Sequence, residues 1–119
     1  MIDPATFDIT RFQESAAAAA RLLRALANER RLMILCQLSS GERSVGELQP
    51  LIGLSQSALS QHLAVLRSDG LVATRRDGLS IHYRIADPAA AQVIVTLAAI
   101  FCSNDVEKPD VQDLDRPDA

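Results

Sequence analysis

The chain has 119 residues, a hydrophobic fraction of 48% and a formal net charge of −3 at pH 7. A single domain of this length buries about two-thirds of its unfolded surface, so it needs neither disulfides nor a metal to fold. No apolar run reaches the roughly 18 residues of a membrane span and no signal peptide opens the chain, which predicts a cytoplasmic protein with no membrane partner.

The charge is unevenly distributed along the chain. Residues 1–20 carry a net −2 and residues 87–119 a net −5, whereas residues 21–86 carry nine arginines against five acids, a net +4. A cationic middle between acidic ends suits a protein that presents its middle to phosphate. Proline and acidic residues after position 102 predict a folded domain over residues 1–102 and a disordered acidic tail over residues 103–119.

Two helices are predicted first. The alanine run at residues 16–20 favours a helix over residues 11–27. Its small side chains permit close packing, either against a second subunit or against the rest of the same chain, and the sequence leaves both open. Asn28 suits the N-cap of a second helix that continues through Leu38.

The stretch SVGELQPLIGLSQSALSQHLAVL predicts a helix-turn-helix over residues 44–66. Ser44 and Glu47 form a capping box at the start of its first helix. Gly53 stands where a left-handed residue ends that helix, and Ser55 is placed to cap the second one.

The second helix of this pair has an apolar stripe and an opposite polar face. Leu59, Leu63 and Leu66 recur at i, i+4 and i+7, which predicts that they are buried. Serine and glutamine on the other face can exchange hydrogen bonds with base edges; an ordinary solvated face is the alternative. The predicted DNA contacts are Ser55, Gln56, Ser57, Ser60 and Gln61, with Arg67 farther along the same helix.

Residues 71–85, LVATRRDGLSIHYRI, predict two strands around Asp77-Gly78, a favoured type I′ hairpin turn. With a two-residue loop, Arg76 would pair with Leu79. A helix-turn-helix followed by such a hairpin is a winged helix. Arg75 and Arg76 near the tip suit contact with phosphate or the minor groove, and the alternative is a surface hairpin with solvated arginines.

A last helix is predicted to open at Asp87-Pro88, with Asp as N-cap and Pro at the first helical position. Its stripe of Ile94, Leu97 and Phe101 needs a partner to cover it. The predicted fold is therefore mainly α with a β-hairpin wing, a winged helix-turn-helix of about five helices.

The stretches RLLRALANERRLMIL, SVGEL, GLSQSALSQHLAVLRSDGLV and TRRDG, in this order, resemble the ArsR/SmtB family of bacterial repressors over roughly residues 16–102. The resemblance implies a homodimer joined through its first and last helices. Its partner is then a double-stranded DNA operator, which twofold symmetry makes near-palindromic. We do not expect an enzyme. A thiol-disulfide enzyme in particular is disfavoured, because the chain has no Cys-x-x-Cys and no βαβ pattern.

Metal sites typical of that family are missing. Its cadmium, lead and arsenic sensors carry Cys-x-Cys near the helix that here starts at Ser44, where residues 45–48 hold no cysteine. Its zinc and nickel sensors use Asp and His on the last helix, and residues 88–104 contain no His. His62 and His82 do not complete the set of about four ligands that a tetrahedral site needs. We therefore expect no metal and no other cofactor.

Cys36 and Cys102 are the two cysteines of the chain. In the family architecture their helices touch, and the pair, with NERRLMILCQL and LSQSALSQHL, is similar to the BigR- and SqrR-type persulfide sensors and to HlyU-type regulators. The resemblance implies a repressor of sulfide-detoxification genes that releases DNA when reactive sulfur species join Cys36 to Cys102 through a polysulfide bridge. A metalloid- or peroxide-responsive repressor using the same thiols is one alternative. Two buried cysteines acting as small hydrophobes are another.

Overall fold

A computed structural model of the chain describes residues 8–101. The elements follow in the order α1 (Ile9–Leu26), α2 (Glu29–Leu38), β1 (Arg43–Ser44), α3 (Val45–Ile52), α4 (Gln56–Ser68), β2 (Val72–Asp77), β3 (Ser80–Ile85) and α5 (Pro88–Phe101). This order confirms the predicted winged helix-turn-helix. Cys102 and the predicted tail over residues 103–119 lie outside the described residues.

Three helices start at a side chain that caps them. Asp8 and Asn28 each accept a hydrogen bond from the backbone amide three residues later, at 3.2 and 3.0 Å. Asp87 accepts one at 2.8 Å from the amide of Ala89. Such a side-chain oxygen satisfies one of the amides that the first turn leaves unpaired. The Asp8 cap explains why α1 begins at Ile9, two residues before the predicted start.

The hydrophobic core is assembled around α2. This helix packs against α1, α3, α4 and α5, and its Ile34 and Leu35 are completely buried. Every helix contributes at least one buried apolar side chain, and Val72 of β2 joins them. Within residues 8–101 no polar or charged side chain is buried, so the core is held by apolar packing.

The three strands form one antiparallel sheet in the order β1-β3-β2. In β1, Arg43 pairs with Tyr83 and Ser44 with His82. This strand was not predicted, because two residues are too short to show an alternating pattern. The strand ties the start of α3 to the wing.

The hairpin turn differs from the prediction. Asp77 pairs with Ser80 and Arg76 with Ile81, so the loop is Gly78-Leu79 and the prediction of Asp77-Gly78 is wrong. A type I′ turn needs a positive φ at both loop positions. Gly78 has a φ of 64°, and among the described residues only glycines have a positive φ. The loop therefore places its glycine first, and no side chain has to adopt a left-handed conformation. Because each partner moves by two residues, the strands keep their predicted faces.

Candidate nucleic-acid interface

The turn between α3 and α4 is fixed by hydrogen bonds that confirm the predicted caps. The Ser44 hydroxyl accepts from the Glu47 amide at 3.1 Å, and the Glu47 carboxylate accepts from the Ser44 amide at 2.8 Å. Gly53 ends α3 in the left-handed conformation, with a φ of 81°. The hydroxyl of Ser55 then accepts from the backbone amide three residues later at 3.1 Å and starts α4.

The orientation of α4 is set by its buried side. Leu59, Leu63 and Leu66 are 0% exposed, which confirms the predicted stripe and turns the opposite side of the helix to solvent. The side-chain amides of Gln56 and Gln61 form no hydrogen bond inside the described part of the chain. All six predicted contacts of this helix are exposed: Ser55, Gln56, Ser57, Ser60, Gln61 and Arg67. We call this the reading face.

The two wing arginines are both exposed but have different surroundings. Arg75 donates from Nη2 to a Glu42 carboxylate oxygen at 2.7 Å and from Nε at 3.0 Å. A second, looser contact joins it to Asp77 at 3.9 Å. Arg76 forms no ion pair within residues 8–101. The Arg76 guanidinium is thus available to an external anion, whereas that of Arg75 already binds a carboxylate.

Glu42 is a residue of this surface that the sequence analysis did not identify. The hydrogen bond from Arg75 lowers the pKa of the Glu42 carboxyl below its ordinary value of 4.5; partial desolvation opposes this shift. The charges of Arg75, His82 and Arg84 lower it further. The same contact raises the pKa of Arg75. Glu42 and Arg75 lie 33 residues apart, and no local pattern links positions so distant.

An open groove of about 440 Å³ lies between α4 and the wing. Ser60 and Arg67 of the reading face line it together with Tyr83 of β3. One end of the reading face and β3 of the wing therefore line the same groove. Tyr83 was not among the predicted contacts, because its place beside α4 depends on how the hairpin folds back onto that helix.

Cys36 lies half-buried on α2, directly after the fully buried Leu35, and packs against the core. The expectation that its helix touches the last helix is confirmed, since α2 packs against α5. The other predicted thiol, Cys102, follows Phe101 in the sequence and lies outside the described residues.

Residues 8–101 contain neither a metal-binding group of side chains nor a membrane-spanning helix. In that range no three His, Cys, Asp or Glu side chains are grouped as a metal site would require. His62 is half-buried on α4, and His82 is half-buried in β3. No helix in the same range is both long and apolar enough to span a bilayer.

The first and last helices expose apolar side chains. In the predicted stripe of α5, Ile94 is 1% exposed, Leu97 is half-buried and Phe101 is 60% exposed, so residues 8–101 cover only the first part of it. The large exposed apolar residues of these two helices are Ile9, Phe12, Leu23, Val95, Ile100 and Phe101. We call this set the uncovered apolar face.

Comparison with known proteins gives consistent matches. The family model described as "Bacterial regulatory protein, arsR family" matches residues 28–74, from the cap of α2 into β2. The transcriptional activator HlyU of Vibrio cholerae is 46% identical over 98 residues, covering 82% of this chain and 91% of that protein.

Solved structures agree with the sequence matches. The crystal structure of the transcriptional repressor BigR from Xylella fastidiosa matches with a TM-score of 0.77 at 43% identity, over 82% of this chain and 100% of that one. The solution structure of a homodimeric winged helix-turn-helix DNA-binding domain from Mycobacterium bovis matches with a TM-score of 0.67 at 35% identity. That match covers 82% of this chain and 89% of the other.

Proposed function

The chain belongs to the arsR family of bacterial regulatory proteins, and on this basis we propose that it is a homodimeric repressor whose DNA affinity is controlled by Cys36 and Cys102. Its relatives are DNA-binding transcriptional regulators and not enzymes. The proposed effector is a reactive sulfur species, and the proposed targets are sulfide-detoxification genes in the bacterial cytoplasm. The relatives include one regulator named as an activator and one named as a repressor. We propose that this chain represses transcription.

Base recognition is assigned to the reading face. The exposed amides of Gln56 and Gln61 present both a donor and an acceptor, which is the chemistry that pairs bidentately with adenine in the major groove. Arg67 and Arg76 carry the charge that binds backbone phosphates independently of sequence. The caps at Ser44 and Ser55 support this assignment, because they fix the angle at which α4 leaves the turn.

Dimerisation is assigned to α1 and α5. The uncovered apolar face supports it, since several large apolar side chains exposed on two helices are the kind of surface that an interface covers. A twofold dimer would present two α4 helices to successive major grooves, about one helical turn or roughly 34 Å apart. The operator is then near-palindromic.

The observation that carries the sensing proposal is the contact between α2 and α5. It brings the helix of Cys36 against the helix that ends one residue before Cys102. A direct disulfide requires Cα atoms within about 7 Å and an S–S length of about 2.05 Å. A bridge with additional sulfur atoms can span a wider distance between the two cysteines. If the thiols lie somewhat farther apart than a disulfide allows, they would react with persulfides to form a bridge more readily than with peroxide.

The proposed reaction forms a trisulfide between Cys36 and Cys102 in three steps. Each cysteine thiolate attacks the sulfane sulfur of a persulfide RSSH, which leaves a cysteine persulfide and releases RSH. The terminal sulfur of one cysteine persulfide then attacks the Sγ atom of the other and expels hydrosulfide. Two thiols and two RSSH thus yield one trisulfide, two RSH and one H₂S. The bridge would favour a dimer geometry whose α4 helices no longer match successive major grooves.

Mass spectrometry of the full chain tests this proposal. Reduced protein is treated separately with glutathione persulfide, hydrogen peroxide and arsenite, then digested without reductant. We expect peptides containing Cys36 and Cys102 to be linked by at least three sulfurs after persulfide treatment only. A plain disulfide formed readily by peroxide, or an arsenite adduct at physiological concentration, would instead support the metalloid- or peroxide-responsive alternative.

A further inference from the structure

An ion pair crosses the whole wing. Arg75 of β2 and Ser44 of β1 are paired with the same residue of β3, His82, from its two sides. Glu42 immediately precedes β1. Adjacent strands lie about 4.8 Å apart, so the outer strands are separated by roughly 10 Å. The Arg75 side chain therefore reaches across β3 to contact Glu42.

The contact has the geometry with which arginine binds a phosphate. Nε lies 3.0 and 3.2 Å from the two Glu42 oxygens, and Nη2 lies 2.7 Å from the first of them. Carboxylate and phosphate present similar oxygen pairs to the guanidinium fork. The side chains are 49% and 30% exposed, and an ion pair so accessible to water contributes little and is readily exchanged.

We propose that Glu42 is an internal substitute for phosphate: it holds the guanidinium of Arg75 in the DNA-free chain and is displaced when a backbone phosphate takes its place. This inference rests on the proposed function, since it requires DNA at the wing. Glu42 then limits the affinity for every DNA that the wing contacts, because binding has to break the ion pair.

The two wing arginines should consequently differ in their salt dependence. Each phosphate neutralised by a cation contributes about 0.9 to the slope of log K against log salt. Arg76 has no carboxylate partner within residues 8–101 and contributes in full. When Arg75 binds a phosphate, the DNA loses a counterion and the released Glu42 carboxylate gains one. The net contribution of Arg75 to the salt slope is therefore close to zero.

Fluorescence anisotropy with the full chain tests the exchange. Affinity is measured from about 50 to about 200 mM salt, for an operator selected from a random duplex pool and for a scrambled duplex. We expect Glu42→Gln to tighten binding to both duplexes by about two- to fivefold at low salt and to steepen the slope by about one. Misfolding does not produce a gain in affinity. Glu29→Gln, with the same charge change at the start of α2, serves as the matched control and should leave both values unchanged.

Removal of Arg75 separates exchange from simple repulsion. In the Arg75→Ala background, Glu42→Gln should have no effect on affinity or slope. If Glu42→Gln raises the affinity equally in the Arg75→Ala background, the inference is overturned. It is also overturned if Glu42→Gln gives no gain when Arg75 is present, provided that the wild-type chain binds the operator. If the wild-type chain binds neither duplex, the proposed function fails and the inference fails with it.

Discussion

Gln56 and Gln61 of the reading face are the side chains best suited to distinguish one base pair from another. Replacing either by Ala should cost about 1–3 kcal/mol of operator binding, because each lost bidentate contact removes discrimination of this size. Binding to scrambled DNA should stay unchanged, since the amides carry no charge. Competition titrations measure both affinities. Gln37→Ala, a glutamine of α2 outside both the reading face and the proposed dimer helices, is the control; operator binding that survives both α4 changes would place base recognition on another face.

Residues whose role depends on near neighbours were the ones predictable from sequence. Ser44, Gly53 and Ser55 act through hydrogen bonds or backbone angles within three residues, and the structure confirms all three. Arg75 was identified only by its charge. Its partner, Glu42, could not be predicted, because the two side chains meet only when the three strands form one sheet.

The capping box at Ser44 stabilises the start of α3. Ser44→Ala should lower the free energy of unfolding by about 0.5–2 kcal/mol, because the Glu47 amide loses its side-chain acceptor. Urea denaturation measures the change. Ser57→Ala, an exposed serine within α4, should be neutral or slightly stabilising because alanine is the better helix former. Equal losses in the two variants would contradict a capping role.

The capping box should also make stability depend on pH. The hydrogen bond from the Ser44 backbone lowers the pKa of Glu47 below its ordinary value of 4.5; partial desolvation opposes this, and the Ser44 hydroxyl and the charges of His82 and Arg43 add to the lowering. A carboxyl with a lowered folded-state pKa stabilises the fold above its unfolded pKa and loses that contribution as pH falls through the folded one. We expect thermal unfolding of the wild type and Glu47→Gln to differ at neutral pH and to converge in acid. A difference that stays constant with pH would argue against this role.

The elements themselves were predictable where a period or a cap marked them. The boundaries of α2 follow from Asn28 and from the apolar positions through Leu38. The hairpin was predicted as an element, but its loop was misplaced by one residue, because both Asp77-Gly78 and Gly78-Leu79 are compatible with two alternating strands. The backbone angle of Gly78 decides between them.

The proposed dimer depends on α1 and α5. Val95→Glu should give a monomer by light scattering at micromolar concentration, because Val95 is 63% exposed within the uncovered apolar face and a charge there cannot be buried unpaired. Operator affinity should fall with it, since half-site binding loses the second subunit. Leu79→Glu changes an even more exposed leucine at the wing tip and should leave the dimer intact. A Val95→Glu chain that remains dimeric would exclude α5 as the interface.

The sequence left open whether the alanine-rich helix packs within the chain or against a partner. Helix α1 contains both residues that pack within the chain and residues that remain exposed. Ala25 and Leu26 at its end are buried within the chain, whereas Ala16 and Phe12 toward its start are exposed. The sequence therefore predicted that α1 has to be packed against another surface, but not which one. The composition of a helix does not show whether that surface belongs to the same chain or to a second subunit.

The most direct test of the central proposal is operator binding by the wild type and by the Cys36→Ser/Cys102→Ser variant, before and after glutathione persulfide. We predict that both bind tightly when reduced, that persulfide abolishes binding by the wild type, and that the variant keeps its affinity because it cannot form a bridge. The unfolding free energy is compared in parallel, since an unpaired buried hydroxyl could cost about 1–3 kcal/mol. Release of DNA from the double serine variant by persulfide would contradict the account.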